Sequence, residues 1–465
     1  MKKVTVIGGG ISGLAAAYTL EQKGRDNYSV TLVEAGSELG GKMQSVTVDG
    51  FTVEGGPDCF LAQKPAVDRL SREIGADGDI IGTSEENKGT FILSGSKLHV
   101  LPEGLMLMVP TKIIPFALSP LISWPGKIRM GMDMFLPRRK GNGDESLGSF
   151  VTRRLGREAL DKIAEPLIGG IHAGDPENMS LKASFPRFLE MERKHRSLIK
   201  AMLASKRQAP PQKDKKATYF MSFKHGMGEL PQAVAEKLEN VDIKLNTKVK
   251  DLQYDGKFTV TTSKGEQWQT DAVVLAVPAY AGADIIEGLE PQLAQTLRGI
   301  NFVNSATVSL AFRKKDLGRT LPGFGFVIPS GEKRDIMAVT YSSQKFKHRS
   351  PDEDHLLVRC FVGGPKNQEL VLLNDSEMLA KVQAELKSIL EITAEPVMTK
   401  IFRWNQGMPQ YSMGHLERVA SIEQRLSKFP GLTIAGNSYR GIGVPDCIES
   451  GIRAAKNVMG EKEEH

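Results

Sequence analysis

The sequence predicts an α/β fold: a Rossmann-like dinucleotide-binding domain, discontinuous in sequence, with a mixed-sheet second domain and a helical subdomain. Three observations carry this reading. The β-branched run Val4-Thr5-Val6-Ile7 enters a glycine turn in which Gly8, Gly10 and Gly13 fill G-x-G-x-x-G, and an Ala/Leu-rich helix follows through Leu20. An acidic residue, Glu34, ends a second strand-like run, Val30-Thr31-Leu32-Val33, at the spacing of about 20 residues where a carboxylate meets an adenosine ribose. Strand-into-glycine patterns then return late in the chain, at Leu432-Thr433-Ile434-Ala435-Gly436 and at Gly441-Ile442-Gly443-Val444-Pro445. A lone glycine turn is a weak signal; a strand before it, a helix after it and a carboxylate at the next strand end make it specific. Gly8 permits the turn, Gly10 admits a pyrophosphate, Gly13 lets helix and strand touch, and the phosphates rest on free N–H groups at the helix start, around Ile11 and Ser12.

Leu39-Gly40-Gly41-Lys42 follows the second strand and reads as a loop closing over the ligand, with Lys42 offering a cation to the pyrophosphate. Residues 46–53 alternate about Asp49-Gly50 and predict a hairpin. Gly55-Gly56-Pro57-Asp58-Cys59 builds no regular element; it shapes backbone around a ligand or forms a plain turn. Residues 105–125 are the most apolar region, yet Lys112 and prolines 110, 115, 120 and 125 interrupt them, so short helices are expected, packed inside or touching a bilayer surface. A helical pattern runs over residues 144–207, with one long exposed helix expected over 182–206 and a linker at 208–217. A helix over 231–238 and strands at 243–245, 249–254, 258–262 and 272–277 form a meander, with Val249 placed to cover an adenine. Strand candidates at 306–312, 325–328, 337–341 and 356–362, and a helix over 376–390, predict a separate mixed or antiparallel sheet carrying the substrate.

The chain has 465 residues, enough for two or three domains, with 40% hydrophobic and 25% charged residues. Its net charge of +6 is diffuse and gives no argument for nucleic acid. Cys59, Cys360 and Cys447 lie far apart with no metal-ligand spacing, which suits a reducing cytoplasm and no metal site. The apolar run after Lys2-Lys3 is too short for a signal peptide.

Together with the N-terminal fingerprint, Glu34 and Gly40-Gly41-Lys42, the stretches His225-Gly226-Met227-Gly228, Ala435-Gly436 and Gly441-Ile442-Gly443 resemble the flavin-dependent amine oxidase superfamily. Finer blocks are similar to the bacterial coproporphyrinogen/protoporphyrinogen oxidases of haem synthesis, most closely the Gram-positive type. These blocks are Gly56-Pro57-Asp58, Pro110-Thr111-Lys112, residues 165–175, Lys194-His195-Arg196-Ser197-Leu198, Arg403-Trp404, Met408-Pro409-Gln410-Tyr411 and Gly443-Val444-Pro445-Asp446-Cys447. Two positions depart from the pattern: Glu38 stands where arginine is frequent, and Asn437 where aspartate is.

The resemblance implies FAD. Its binding set would be Gly8, Gly10, Ile11, Ser12, Gly13, Glu34, Ala35, Gly41, Lys42, Gly56, Pro57, Asp58, Cys59, Val249, Trp404, Gly436, Val444, Pro445 and Asp446. It implies an FAD domain of residues 1–80, 218–278 and 427–465, a substrate domain of 81–104 and 279–426, and a helical subdomain of 105–217. It implies oxidation of coproporphyrinogen III to coproporphyrin III, six electrons in three flavin cycles. Gly226-Met227-Gly228 lacks a third glycine, so no nicotinamide site is expected and O2 would be the acceptor, giving H2O2. Four propionates call for cations; Lys64 matches a basic position of the family and is the first choice, against a solvated lysine, with His172 and Arg403 behind it. Peripheral membrane contact and transient contact with other haem-pathway enzymes are further expectations. An amine oxidase or carotenoid-type desaturase of the same fold, or an FAD-binding scaffold without turnover, are the alternatives.

Overall fold

Lys2–Ile7 is the middle strand of a five-stranded parallel sheet ordered Asp242–Lys244, Tyr28–Val33, Lys2–Ile7, Ala272–Leu275, Leu432–Ile434. Val6 pairs with Leu32 on one side and Val274 on the other, and Val274 pairs with Thr433. Both faces are covered at the centre of the sheet, where Val4, Val6, Leu32 and Val274 are buried. Helices Ile11–Gly24 and Val444–Met459 pack on one face through Leu14, Ala15, Ile448 and Ala455. The computed structural model describes residues 1–24, 27–86, 88–102, 105–106, 108–110, 112–141, 143–208 and 218–461.

The predicted meander is present in part. Val249–Tyr254 and Phe258–Thr262 pair antiparallel, but the third strand is Gln267–Thr270, which the sequence reading missed. The segments expected at 243–245 and 272–277 are edge and inner strands of the parallel sheet. The predicted hairpin pairs Ser45–Val48 with Phe51–Glu54, and Asp49 and Gly50 both take positive φ (49° and 79°), the turn that matches strand twist.

The second sheet has seven strands ordered Met398–Pro409, Phe302–Arg313, His355–Gly363, Ile336–Tyr341, Gly325–Val327, Phe91–Ser94, Lys97–Val100. Pairing is antiparallel except between Gly325–Val327 and Phe91–Ser94, so the sheet is mixed. Helix Asp375–Leu390 buries Met378, Val382, Leu386 and Leu390 against it, and an Asn374/Glu377 capping box starts that helix.

The long exposed helix expected over 182–206 is not formed. Three helices stand there instead: Leu181–Ser184, Pro186–His195 and Leu198–Gln208. Pro186 has no N–H to continue the first, and Arg196 turns to φ +58° after the second. Nor is the segment wholly exposed, since Phe188, Met191, Leu198 and Met202 join the core around Phe150 and Ile163. The many charges that suggested a solvated face include Glu192, buried and bonded by Arg153 at 2.7 Å. Past Gln208, the expected linker lies outside the described residues. Residues 105–125 form short pieces, with helices Ile113–Leu118 and Trp124–Gly131, and no helix among the described residues is long and apolar enough to cross a membrane.

Candidate functional site

The glycine turn caps the C-terminal end of Lys2–Ile7. Gly8 has φ +110°, and a Cβ on Gly13 would stand 1.8 Å from Gly8 O, so both positions exclude any side chain. Gly10 differs, because a Cβ there would meet no atom within 4 Å. Ile11 and Ser12 head the helix, where first-turn N–H groups have no intrahelical acceptor. The Glu34 carboxylate accepts Gly9 N–H and Gly36 N–H, each at 2.7 Å. Two oxygens offer about four acceptor positions, so half remain for a diol beyond Ala35.

Gly41 folds back on Gly10, the two being close enough that a Cβ on Gly41 would meet Gly10 Cα at 3.2 Å. Lys42 reaches the carbonyl of Gly407 and lies beside Cys447; burial pulls its ammonium from 10.5 down to about 8. Burial likewise pushes the Cys447 thiol up to about 12, with Asp446 adding to the shift and Ser12 opposing it. A Cβ on Gly451 would come 2.1 Å from Ser12 O, so the first and last helices touch here. Gly436 has φ +120°, open space beside it, and donates its N–H to Ser450 Oγ at 3.0 Å. Val444, Pro445 and Asp446 form the first turn of the last helix. Val249 is buried behind the strand ends with Ile7 and Val33.

The loop Gly55–Cys59 is held from behind. Gly55 O accepts Trp404 Nε1–H at 2.8 Å and Arg359 at 3.2 Å; Gly56 O accepts Arg359 at 2.5 Å. A Cβ on Gly56 would be 1.8 Å from Lys42 O, so that loop and the Gly41-Lys42 loop interlock. The side chains of Asp58 and Cys59 turn inward. Burial alone would raise Asp58, but Lys345 at 2.7 Å and Arg359 outweigh it and hold the carboxyl well below its usual range. The Cys59 thiol donates to Asp58 at 3.1 Å and is pushed up to about 12 by burial. What these two residues present outward is therefore backbone.

Several side chains named from the sequence point elsewhere. Lys64, expected to be a free cation, is held by Asp446 at 2.6 and 2.7 Å. Arg403 caps the carbonyls of Val371 and Leu373 and pairs with Asp375, a role in the sheet edge. The His172 side chain lies outside the described residues. Gly226-Met227-Gly228 packs on the hairpin: Met227 N–H donates to Glu54 at 3.0 Å and Gly228 N–H to Ser45 at 2.8 Å. Sequence reading missed Lys345, Arg349 and Arg359; for Arg359 the signal was there, one charge inside the apolar run Leu356–Val362. Among the described residues no group of His, Cys, Asp and Glu is gathered to hold a metal ion.

Beside this site lies an open cavity of about 250 Å³, between helix Glu165–His172 and the seven-stranded sheet. Gly169, Gly170 and Gly363 line one part, Ile328, Ile336 and Met337 another, and Lys333 and Lys366 stand at its wall. Arg359, under the Gly56 carbonyl, and Gly363, in the cavity wall, stand on one strand about 13 Å apart, with the strand's regular alternation broken at Gly363, which has φ +97°. A π-turn over Leu160–Ala164 precedes Glu165 and sets it in the cavity wall, where it accepts Ser330 N–H at 3.0 Å.

The geometry fits a dinucleotide: two glycines the fold requires, two that leave open space, a helix N-terminus and a half-used carboxylate. A family model for flavin containing amine oxidoreductases matches residues 11–459. The chain is 35% identical to the coproporphyrinogen III oxidase of Bacillus subtilis, covering 98% of each chain. It is 34% identical to the coproporphyrinogen III oxidase of Staphylococcus aureus over 99% of each. A crystal structure from Exiguobacterium sp. 255-15 superposes with a TM-score of 0.87 at 32% identity, covering 99% of each chain. The chain belongs to the flavin containing amine oxidoreductase family.

Proposed function

We propose that the protein is an FAD-dependent oxidase that converts coproporphyrinogen III to coproporphyrin III, with O2 as acceptor and H2O2 as product, and that protoporphyrinogen IX is a slower substrate. The observation that carries the proposal is the placement of the cavity, whose wall includes the end of the strand that carries Arg359, the anchor of the Gly55–Cys59 loop, about 13 Å away. The relatives that share the whole chain length and are named for this substrate support it.

A bound FAD would supply the electron sink for oxidation of the bridging carbons, with O2 as the final acceptor. The chain supplies position. Gly10, Ile11 and Ser12 hold the pyrophosphate, Glu34 the adenosine ribose, and Val249 closes over the adenine. The outward backbone of Gly56, Pro57, Asp58 and Cys59, with Trp404, forms the floor for the reactive ring, and Gly436, Val444, Pro445 and Asp446 its far edge. The glycine-lined wall leaves room beside the sheet for the edge of a flat macrocycle.

We also place the enzyme in the cytoplasm, resting on an anionic lipid surface and exchanging substrate transiently with its pathway neighbours. Ile114, Leu118, Trp124, Ile128 and Phe135 are exposed on adjoining short helices, Phe135 by 83%, with Lys127, Arg138 and Lys140 alongside.

The test begins with an absorption spectrum of the purified protein for bound flavin. Oxygen uptake then follows with coproporphyrinogen III, protoporphyrinogen IX and a simple amine. The reading stands if coproporphyrinogen III is oxidised fastest; it falls if the amine is oxidised as fast, and a flavoprotein inert to all three is a scaffold.

A further inference from the structure

A porphyrinogen with four propionates needs cations, and Lys64 is already spent on Asp446. The cavity wall offers others. Lys333 sits at φ +53°, an uncommon conformation for a side-chain-bearing residue, with its N–H on Ser330 O at 3.2 Å. Its ammonium has no ion pair or hydrogen bond among the described residues. Lys366 stands beside it through Ser330, donating to Ser330 Oγ at 2.6 Å and staying 3.9 Å from Glu165. Two neighbouring charges are paired, Arg334 with Glu385 and Asp335 with Lys381 at 2.8 Å, while Asp175 accepts the Asn178 amide at 2.7 Å and keeps its charge. Glu165 opposes an anion, but one of its oxygens already accepts Ser330 N–H. Lys333 is therefore the lining cation that no carboxylate holds among the described residues, and it stands above an apolar patch of Ile328, Ile336 and Met337.

We infer that Lys333 and Lys366 form a carboxylate subsite that takes a propionate arm of the tetrapyrrole and discriminates four-carboxylate from two-carboxylate porphyrinogens. The subsite rests on the porphyrinogen reading above. The discrimination requires that the arms which protoporphyrinogen IX carries as vinyl groups face this rim, so that the lysines contribute to one substrate and not to the other. Each exposed charge pair is worth about 0.2–1 kcal/mol, so losing two raises KM about fivefold.

The test uses full-length holoenzyme as wild type, as the K333Q/K366Q variant, and as K264Q/K315Q, which loses the same charge at exposed sites outside the cavity. The expected result is a KM for coproporphyrinogen III raised about fivefold in K333Q/K366Q alone, with KM for protoporphyrinogen IX changed less than about twofold, and kcat, flavin absorption and Tm retained. An unchanged KM for coproporphyrinogen III, an equal rise for both substrates, or the same rise in K264Q/K315Q overturns the subsite while wild-type turnover leaves the functional reading intact. A wild type that oxidises neither porphyrinogen overturns both.

Discussion

Lys64 Nζ stands 2.6 Å from Asp446 Oδ1 and 2.7 Å from Oδ2, tying the segment before helix Ala66–Ile74 to the first turn of Val444–Met459. Asp446 also accepts Gly443 N–H at 3.2 Å, so its carboxylate keeps a capping role without the lysine. Both side chains are partly exposed, and such a pair contributes about 0.2–1 kcal/mol. K64M is expected to lower Tm by no more than about 3 °C and to leave KM for coproporphyrinogen III within about twofold. A tenfold rise in KM, on the order of 1.4 kcal/mol, would show that the pair opens and Lys64 turns to the substrate.

Gly10 and Gly13 separate cofactor binding from folding. G13A drives a methyl group into Gly8 O and is expected to cost at least about 3 kcal/mol, seen as a lower Tm of the flavin-free protein. G10A meets no protein atom, so the flavin-free Tm should stay within about 2 °C while FAD affinity falls at least about tenfold, because the methyl fills the space kept for the pyrophosphate. Equal FAD affinity in G10A and wild type would place the pyrophosphate elsewhere.

The depressed ammonium of Lys42 gives flavin binding a pH dependence. Burial brings it to about 8, so above that value the free protein presents a neutral amine. A dianionic pyrophosphate favours the protonated form, and its affinity therefore falls as pH rises through about 8. Fluorescence titrations of flavin-free protein with FAD should show tighter binding at about pH 7 than at about pH 9. In K42M the slope should be lost; a slope that persists assigns the titration to another group.

Arg359 is buried with one guanidinium nitrogen, Nε, lacking a partner, while another holds two consecutive loop carbonyls. R359M leaves Asp58 with one of its two compensating cations and releases the Gly55–Gly56 carbonyls. The expected loss is about 3–5 kcal/mol, read as a fall in Tm, together with lower flavin content after purification. R359K should recover part of the stability and little of the flavin content, since one ammonium does not reproduce the planar fork.

The exposed apolar face of residues 114–135 calls for a sedimentation assay with vesicles. Wild type is expected to pellet with vesicles rich in anionic lipid and to stay in solution with neutral ones, and I128E/F135E to lose that binding with oxygen uptake retained. Equal pelleting by both proteins would assign the face another occupant.

The nucleotide half of the molecule was legible because each of its parts is local. The strand, the glycines of the turn and the carboxylate at the next strand end lie within the first 34 residues, and each is dictated by backbone geometry. The loop Gly55–Cys59 could be singled out as unusual, but not the direction of its side chains. That direction is set by Lys345, 287 residues from Asp58, and by Arg359, 304 residues from Gly55. Lys64 shows the limit most plainly. Its residue type and position suggested a free cation, and only the fold brings Asp446, distant in sequence by 382 residues, within bonding distance. The helices at 181–208 failed for another reason: charge suggested solvent, whereas Glu192 is buried and satisfied by the half-buried Arg153.

The parallel sheet also sets a schedule. Its first strand, at Val4, waits for Ala272 on one flank, and that partner waits in turn for Leu432. At about 5–20 residues per second, roughly 20–90 s of translation separate Val4 from Leu432. The ribosome thus releases the glycine turn long before the last helix exists to stand against it. Flavin capture is then an event of the finished polypeptide, and a nascent chain stalled before Gly436 would carry the fingerprint without the cofactor.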